Sequence, residues 1–142
     1  MTPLILASGS ATRLEMLRQA GVHVSVERPN VDEASAIESL VAEKARPRDI
    51  ADYLAGLKSV RVSTRHAGAM VIGADQVLSL GPRVFQKPSN RLKAREHLLA
   101  LRGQTHTLSS AACVSRVFMG ESIEACAEVQ REVQAALPIA AR

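Results

Sequence analysis

One aspartate stands directly after an apolar run: Ala69-Met70-Val71-Ile72 leads into Gly73-Ala74-Asp75-Gln76. The run reads as a buried strand with a carboxylate at its mouth. A charge there must be solvated, paired or metal-bound, because an isolated buried carboxylate costs several kcal/mol. Ligands in open α/β sheets bind beyond the carboxyl ends of strands, so Asp75 is the first candidate for chemistry. The plain alternative is an Asp that caps the next turn. Asp32 and Glu33, in the polar turn that follows Pro29, add carboxylates from a separate part of the chain. Magnesium typically takes one or two protein carboxylates plus substrate phosphates, although acids in polar turns are usually just solvated. Lys58 and Lys87 are two of four lysines, the others being Lys44 and Lys93. Each sits beside apolar or turn structure and could face a cleft, against the ordinary reading of a solvated charge.

The turn Ser8-Gly9-Ser10 precedes a helical stretch carrying Arg13. Exposed backbone N–H groups, a helix N-terminus and a guanidinium all favour phosphate, while Ser and Gly also serve turn chemistry alone. Gly68 and Gly73 have the glycine spacing of a Walker loop, but Ala74-Asp75 follow where Lys and Ser/Thr are needed. There is no Gly-x-Gly-x-x-Gly. His106 is a candidate base, although a lone His on a strand is more often structural.

The elements that must position these groups follow from pattern. Pro3–Ala7 reads as a buried strand ended by the Ser8 turn. Thr12 and Glu15 fit a capping box opening a helix that stops near Gly21. Val22–Val26 alternates like a half-buried strand. Ser35 and Glu38 form another capping box, for a short helix to about Ala45, and Pro47 suits the first turn of the next. There Ile50, Tyr53, Leu54, Leu57 and Val60 make an apolar stripe, with Lys58 beside it. The Ala69–Gly73 strand follows, with Val77 and Leu78 as an extension. A short strand at Val84-Phe85, a helix through Leu92–Leu101 stopped by Gly103, and an alternating segment from His106 to Val114 come next. Glu121–Leu137 reads as a mildly amphipathic helix.

Composition sets the frame. The chain has 142 residues, 46% hydrophobic and 23% charged, and a chain this long buries ~68% of its unfolded surface in one core. Aromatics are 2%, so the core is aliphatic. The net charge of +4 suits an anionic partner, yet no dense Lys/Arg run and no set of aromatics to stack bases is present, which argues against nucleic acid. Cys113 and Cys126 lack metal-ligand spacing. No apolar run approaches the ~20 residues of a membrane span and no signal peptide is evident, so cytoplasmic placement with free thiols is expected.

Individually these signals are weak, but their order is specific. Leu6-Ala7-Ser8-Gly9-Ser10-Ala11-Thr12-Arg13, Asp32-Glu33, Leu54-Ala55-Gly56-Leu57-Lys58, Gly73-Ala74-Asp75-Gln76-Val77, Lys87-Pro88 and Leu101-Arg102-Gly103-Gln104-Thr105-His106 follow one another in a pattern that resembles the Maf family of nucleoside triphosphate pyrophosphatases. The resemblance covers roughly residues 3–114. It implies an α/β fold, a Maf/ITPase-like mixed sheet with flanking helices, and hydrolysis of nucleoside triphosphates to monophosphate and pyrophosphate with a divalent cation, Mg or Mn. By motif, Asp75 would be the general base and Glu33 a second active-site acid, both near the metal. Lys58 and Lys87 would face the phosphates, and Ser8, Ser10, Thr12, Arg13 and Gln76 would bind substrate. A homodimer fits the same picture.

Three departures matter. Ala11-Thr12 stands where the family usually has Pro-Arg, with Arg13 kept. Gln76 replaces the commoner Thr and resembles the branch acting on 7-methyl-GTP rather than on dTTP and UTP. Family members continue with a further βα section carrying Lys-Ala-Gly, which is not found after Val114. The expected division is therefore a Maf-like domain over residues 1–115 and a divergent helical tail over 116–142, with the C-terminal part missing or altered. A non-catalytic nucleotide-binding remnant or interaction module is the alternative that such a shortened chain raises.

Overall fold

The computed structural model describes residues 2–118 and 121–125. Strand β1 (Leu4–Ala7) leads to helix α1 (Ala11–Gln19), strand β2 (Ser25–Glu27), helices α2 (Glu33–Ala42) and α3 (Pro47–Ser63), and the long strand β3 (Met70–Leu80). Strand β4 (Arg83–Phe85), helix α4 (Arg91–Leu101) and strands β5 (Thr107–Phe118) and β6 (Glu121–Ala125) complete it. This is the expected mixed α/β sheet with flanking helices. Its order is β2-β1-β3-β5-β6, with β4 also on β3.

The register around β3 creates the feature that matters. On one edge β3 pairs antiparallel with β5 without a break, from Val71↔Ser115 to Ser79↔Thr107. On its other edge the parallel strand β1 reaches only to Ala7↔Gly73, and the antiparallel strand β4 begins at Leu78↔Phe85. Residues 74–77 of that edge lie between the two partners. The chain leaving β1 (Ser8 onward) and the chain leaving β4 (Gln86, Lys87) both head into this gap. Asp75 is thus not beyond the strand's end, as the apolar run suggested, but midway along it, just past the end of the parallel section.

Helix α3 covers one sheet face. Ile50, Ala51, Leu54 and Ala55 pack with Val77, Ala111 and Cys113, and Val62 with Ile5, Ala7, Ala69 and Val71. The buried stripe is rotated from the expected one: Tyr53 is exposed, and Lys58, Ser59 and Ser63 are buried instead. The reason is contact distance. A Cβ on Gly73 would lie 2.1 Å from the Ala55 carbonyl oxygen and 2.7 Å from the Ser59 nitrogen. The helix backbone rests on the strand itself, which small side chains permit and a stripe of large ones would prevent. The Ser59 hydroxyl meets the Ser115 hydroxyl on β5 at 2.7 Å, satisfying two buried polar groups together.

Other local expectations shift by a residue or two. Ser10 rather than Thr12 caps α1, its hydroxyl accepting from the Arg13 N–H. Asp32 rather than Ser35 caps α2, accepting from both the N–H and the hydroxyl of Ser35. In each case an earlier polar side chain reaches the orphan N–H groups of the first turn. Lys44 turns the chain at φ 58°, ending α2 before Ala45. Residues 121–125 form strand β6, not the start of a helix, because β5 runs on to Phe118 and offers its free edge. The rest of the expected helix lies outside the described residues. Cys113 is disulfide-bonded rather than free.

Candidate active site

Strand alternation aims Asp75 at the α3 face, on the same side as Gly73 and Val77. The α3 backbone sits so close at Gly73 that Lys58, one residue before Ser59, reaches over to it. The Lys58 ammonium donates to Asp75 Oδ1 at 2.6 Å and to the Ala74 carbonyl at 3.5 Å. It also pairs with Glu33 Oε1 at 2.9 Å. Lys58 is 4% and Asp75 8% exposed, whereas the Glu33 side chain is 44% exposed. One buried ammonium is thus clasped by two carboxylates, one buried and one at the rim. Burying charges is tolerable only with such pairing.

The electrostatics of Asp75 are dominated by burial, which pushes its carboxyl above the ordinary aspartate value. Lys58 pulls it down through the hydrogen bond and its charge, Glu33 pushes it up, and Arg13 pulls it down. A carboxyl held up in this way is more basic than a surface Asp, which suits a proton acceptor.

The N-terminal turn closes one lip of the gap. Ser8 is buried, and its hydroxyl accepts from the Ser10 N–H at 3.1 Å and from the Arg13 guanidinium at 3.4 Å. Arg13, on the first turn of α1, is therefore held toward the sheet. Lys87 stands on the other lip, two residues beyond Phe85, exposed, beside a 180 Å³ hollow lined by Gln86, Pro88, Ser89, Lys93 and His97. Lys58, Asp75, Glu33, Ser8, Ser10 and Arg13 are brought together. Among the described residues no ion pair ties Lys87 to them.

Three sequence candidates fall elsewhere. Gln76, the neighbour of Asp75, points to the opposite sheet face and donates to the Ser110 hydroxyl at 2.9 Å across the β3–β5 ladder. Thr12 lies within α1, exposed. His106 is exposed between α4 and β5. Of the two acids in the polar turn, Asp32 is used up as the α2 cap, and only Glu33 joins the site. Sequence reasoning missed Arg28. Its side chain lies over the turn, with Nε 3.5 Å from where a Gly9 Cβ would stand. The larger groove of about 420 Å³ between α2 and α3, lined by Ser35, Ser39, Leu40, Glu43 and Tyr53 among others, holds none of these groups.

A carboxylate–ammonium–carboxylate cluster in a sheet gap, faced by a Ser-Gly-Ser turn and an arginine, has the charge and donors to hold a polyanion. The family described as "Maf-like protein" matches residues 3–136, and the chain belongs to that family. It is 50% identical over 112 residues to a protein of Paramagnetospirillum magneticum named nucleoside triphosphate pyrophosphatase, covering 79% of this chain and 58% of that one. A protein of the same name from Caulobacter vibrioides is 49% identical over 116 residues (82% and 58%). A Mesorhizobium japonicum protein named 7-methyl-GTP pyrophosphatase is 48% identical over 113 residues (80% and 57%). The chain thus spans under three-fifths of the length of these relatives. The family match extends to residue 136, past the boundary expected at residue 115.

Proposed function

We propose that this chain carries a nucleoside triphosphate pyrophosphatase site, which splits the α–β anhydride of a nucleoside triphosphate with one water to give the monophosphate and pyrophosphate. The observation that carries this reading is the Asp75–Lys58–Glu33 cluster set in the β3 gap beside the Ser8–Arg13 turn. Asp75, made more basic by burial, accepts a proton from the attacking water. Lys58 and Arg13 neutralise the phosphate oxygens, and the N–H groups of the turn orient them. Phosphoryl-type transfer is mostly positioning and charge stabilisation, which these groups supply.

The donor chemistry also fits a divalent cation. Asp75 and Glu33 each give one oxygen to Lys58 and have a second, and magnesium asks for one or two carboxylates completed by substrate phosphate. Among the described residues no cluster of three or more His, Cys, Asp or Glu could hold a metal without the substrate. Magnesium or manganese bound there would add charge neutralisation at the phosphates.

Lys87, on the far lip, is read as a phosphate contact made only when substrate spans the gap. Thr12, exposed on the first turn of α1, is kept as an outer contact. The 7-methyl-GTP preference rests on Gln76 alone; its place on the opposite face means it would act from outside the cluster. Relatives of both names stand at 48–50% identity, so likeness does not separate the substrates. We read the partner as a small nucleotide rather than nucleic acid or membrane, the assembly as a homodimer and the compartment as the cytoplasm; among the described residues no helix is long and apolar enough to cross a membrane. Strand β6 and the family match to residue 136 support counting the segment after 115 with the domain.

The test is a nucleoside triphosphate panel, including 7-methyl-GTP, dTTP and UTP, assayed for pyrophosphate release with magnesium or manganese. Asp75→Asn is expected to cut turnover by about 10²–10⁴, the worth of a general base, with modest loss of nucleotide binding. Absence of pyrophosphate from every nucleotide, or normal saturated turnover in Asp75→Asn, would sink the proposal. Preference for dTTP and UTP would overturn the reading of Gln76.

A further inference from the structure

We propose that Arg28 grips the pyrophosphate end of the substrate, so that the triphosphate lies with its α-phosphate at Asp75 and its β- and γ-phosphates across the Ser8–Ser10 turn toward β2. The proposal rests on the pyrophosphatase reading and adds a direction to it.

Topology places the residue. Strands β2, β1 and β3 are adjacent and parallel, with Ala7 opposite both Glu27 and Gly73. Their carboxyl ends therefore line up as a crest: Arg28 after β2, Ser8-Gly9-Ser10 after β1, and Asp75 just beyond Gly73 on β3. Arg28 and Asp75 flank the turn from opposite sides. Pro29 follows Arg28 and confines its backbone to extended conformations, which holds the side chain over the turn. Its Nε, Cγ and Cδ all lie within 3.9 Å of the Gly9 Cβ position. That closeness is open to any ligand resting on the turn, because Gly9 adds no side chain between them.

The charge balance points to an anion. Arg46 is paired with Asp49 and Arg65 with Glu27. Glu27, the neighbour of Arg28 in sequence, is engaged by Arg65 and His66 instead. The Arg28 side chain makes no hydrogen bond or ion pair with the described residues, while the Arg13 guanidinium donates to the Ser8 hydroxyl and its charge also acts on Asp75. Two guanidiniums thus reach the same turn, one at Ser8 and one at Gly9. A planar fork of N–H donors matches phosphate oxygens in a way an ammonium does not. The β- and γ-phosphates carry most of the substrate's charge, and this flank offers two guanidiniums and the turn's N–H groups. The Asp75 flank offers a carboxylate and suits the reacting α-phosphorus.

The experiment separates the two ends of the substrate. Binding of inorganic pyrophosphate and of a nucleoside monophosphate is measured by calorimetry in magnesium buffer, for the wild type, Arg28→Ala and Arg28→Lys. Arg28 is exposed, and an unchanged thermal unfolding curve confirms that the variants fold. Loss of a charge-assisted hydrogen bond should weaken pyrophosphate binding about tenfold or more while leaving the monophosphate within about twofold, with Lys rescuing only part because it lacks the fork. Unchanged pyrophosphate binding in Arg28→Ala, equal losses for both ligands, or no pyrophosphate binding by the wild type each overturns the proposal. A wild type that turns over triphosphates beside an unaltered Arg28→Ala sinks only the Arg28 contact. Selective loss of pyrophosphate binding in a chain that hydrolyses no nucleotide upholds the contact and sinks the pyrophosphatase reading.

Discussion

Helices α3 and α4 both look amphipathic in sequence, and they end in opposite situations. Helix α3 buries Ile50, Ala51, Leu54, Ala55, Lys58, Ser59, Val62 and Ser63 against the sheet. Helix α4 buries none of its 11 residues and leaves Leu92 and Leu98 exposed. Its visible anchor is the edge of His97 on the Phe85 ring, with centroids 5.1 Å apart. The two lysines of the proposed site stand one on α3 and one just ahead of α4. Lys58 rides on the packed helix and is fixed between two carboxylates. Lys87 sits in the segment leading to the unpacked one and has no such partner among the described residues. The difference teaches that close backbone approach, rather than the size of an apolar stripe, immobilises Lys58. Gly73 on β3 and the small residues Ala55 and Ser59 on α3 do together what the leucines of α4 do not.

The sharpest way to break this comparison is to give Gly73 a side chain. Gly73→Ala puts a methyl into the space held by the Ala55 carbonyl and Ser59, so the helix must lift from the strand. Overpacking of this kind costs about 1–3 kcal/mol. A shift of about 1 Å in a catalytic group can cost about 10²-fold in rate, so turnover should fall further than stability predicts. Gly56, one turn earlier on α3, is the control: a Cβ there meets no atom within 4 Å, and Gly56→Ala should add about 0.5–1 kcal/mol through helix propensity with turnover intact. Denaturant unfolding and initial rates on both variants decide the matter. Equal behaviour of the two would show that the close approach at Gly73 has no special role.

A second test asks which force rules inside the packed wall. Burial raises the Asp75 carboxyl although Lys58 touches it. As pH rises, the unfolded chain then releases this proton before the folded protein does. Asp75 therefore costs the fold nothing below the ordinary carboxylate range, and costs it increasingly as pH climbs from there to the raised folded value. In metal-free buffer, the stability of wild type relative to Asp75→Asn should fall across that window. Urea midpoints of both proteins as a function of pH measure it. A relative stability that grows with pH would mean the Lys58 pair outweighs desolvation.

The grouping of side chains around Asp75 was largely legible in the sequence. Asp75, Lys58, Glu33, Ser8 and Arg13 could be picked out because the order of motifs is specific even though each alone is weak. The face of α3 was misread because hydrophobicity favours large residues, and the contact with Gly73 selects small ones. Gln76 could have been set apart from Asp75 by strand alternation alone, since neighbours point to opposite faces. Arg28 carried almost no signal, being an exposed arginine in a polar turn, and only the alignment of three parallel strand ends gives it a place. The caps at Ser10 and Asp32 were missed because Thr12–Glu15 and Ser35–Glu38 offered stronger sequence patterns a few residues on.

The smallest expected effect comes from the unpacked helix. Leu98 is 69% exposed on α4, so Leu98→Gln removes little apolar contact and adds a polar group that water can serve. Helix propensity barely changes between Leu and Gln. Stability measured by urea unfolding should stay within about 0.5 kcal/mol, as for a surface site away from special features, while Leu54→Ala in α3 should cost about 2–5 kcal/mol because Leu54 is fully buried and leaves a cavity. A loss at Leu98 approaching that at Leu54 would mean that α4 has a packing partner in the folded protein after all, and that the contrast between the two helices does not survive in solution.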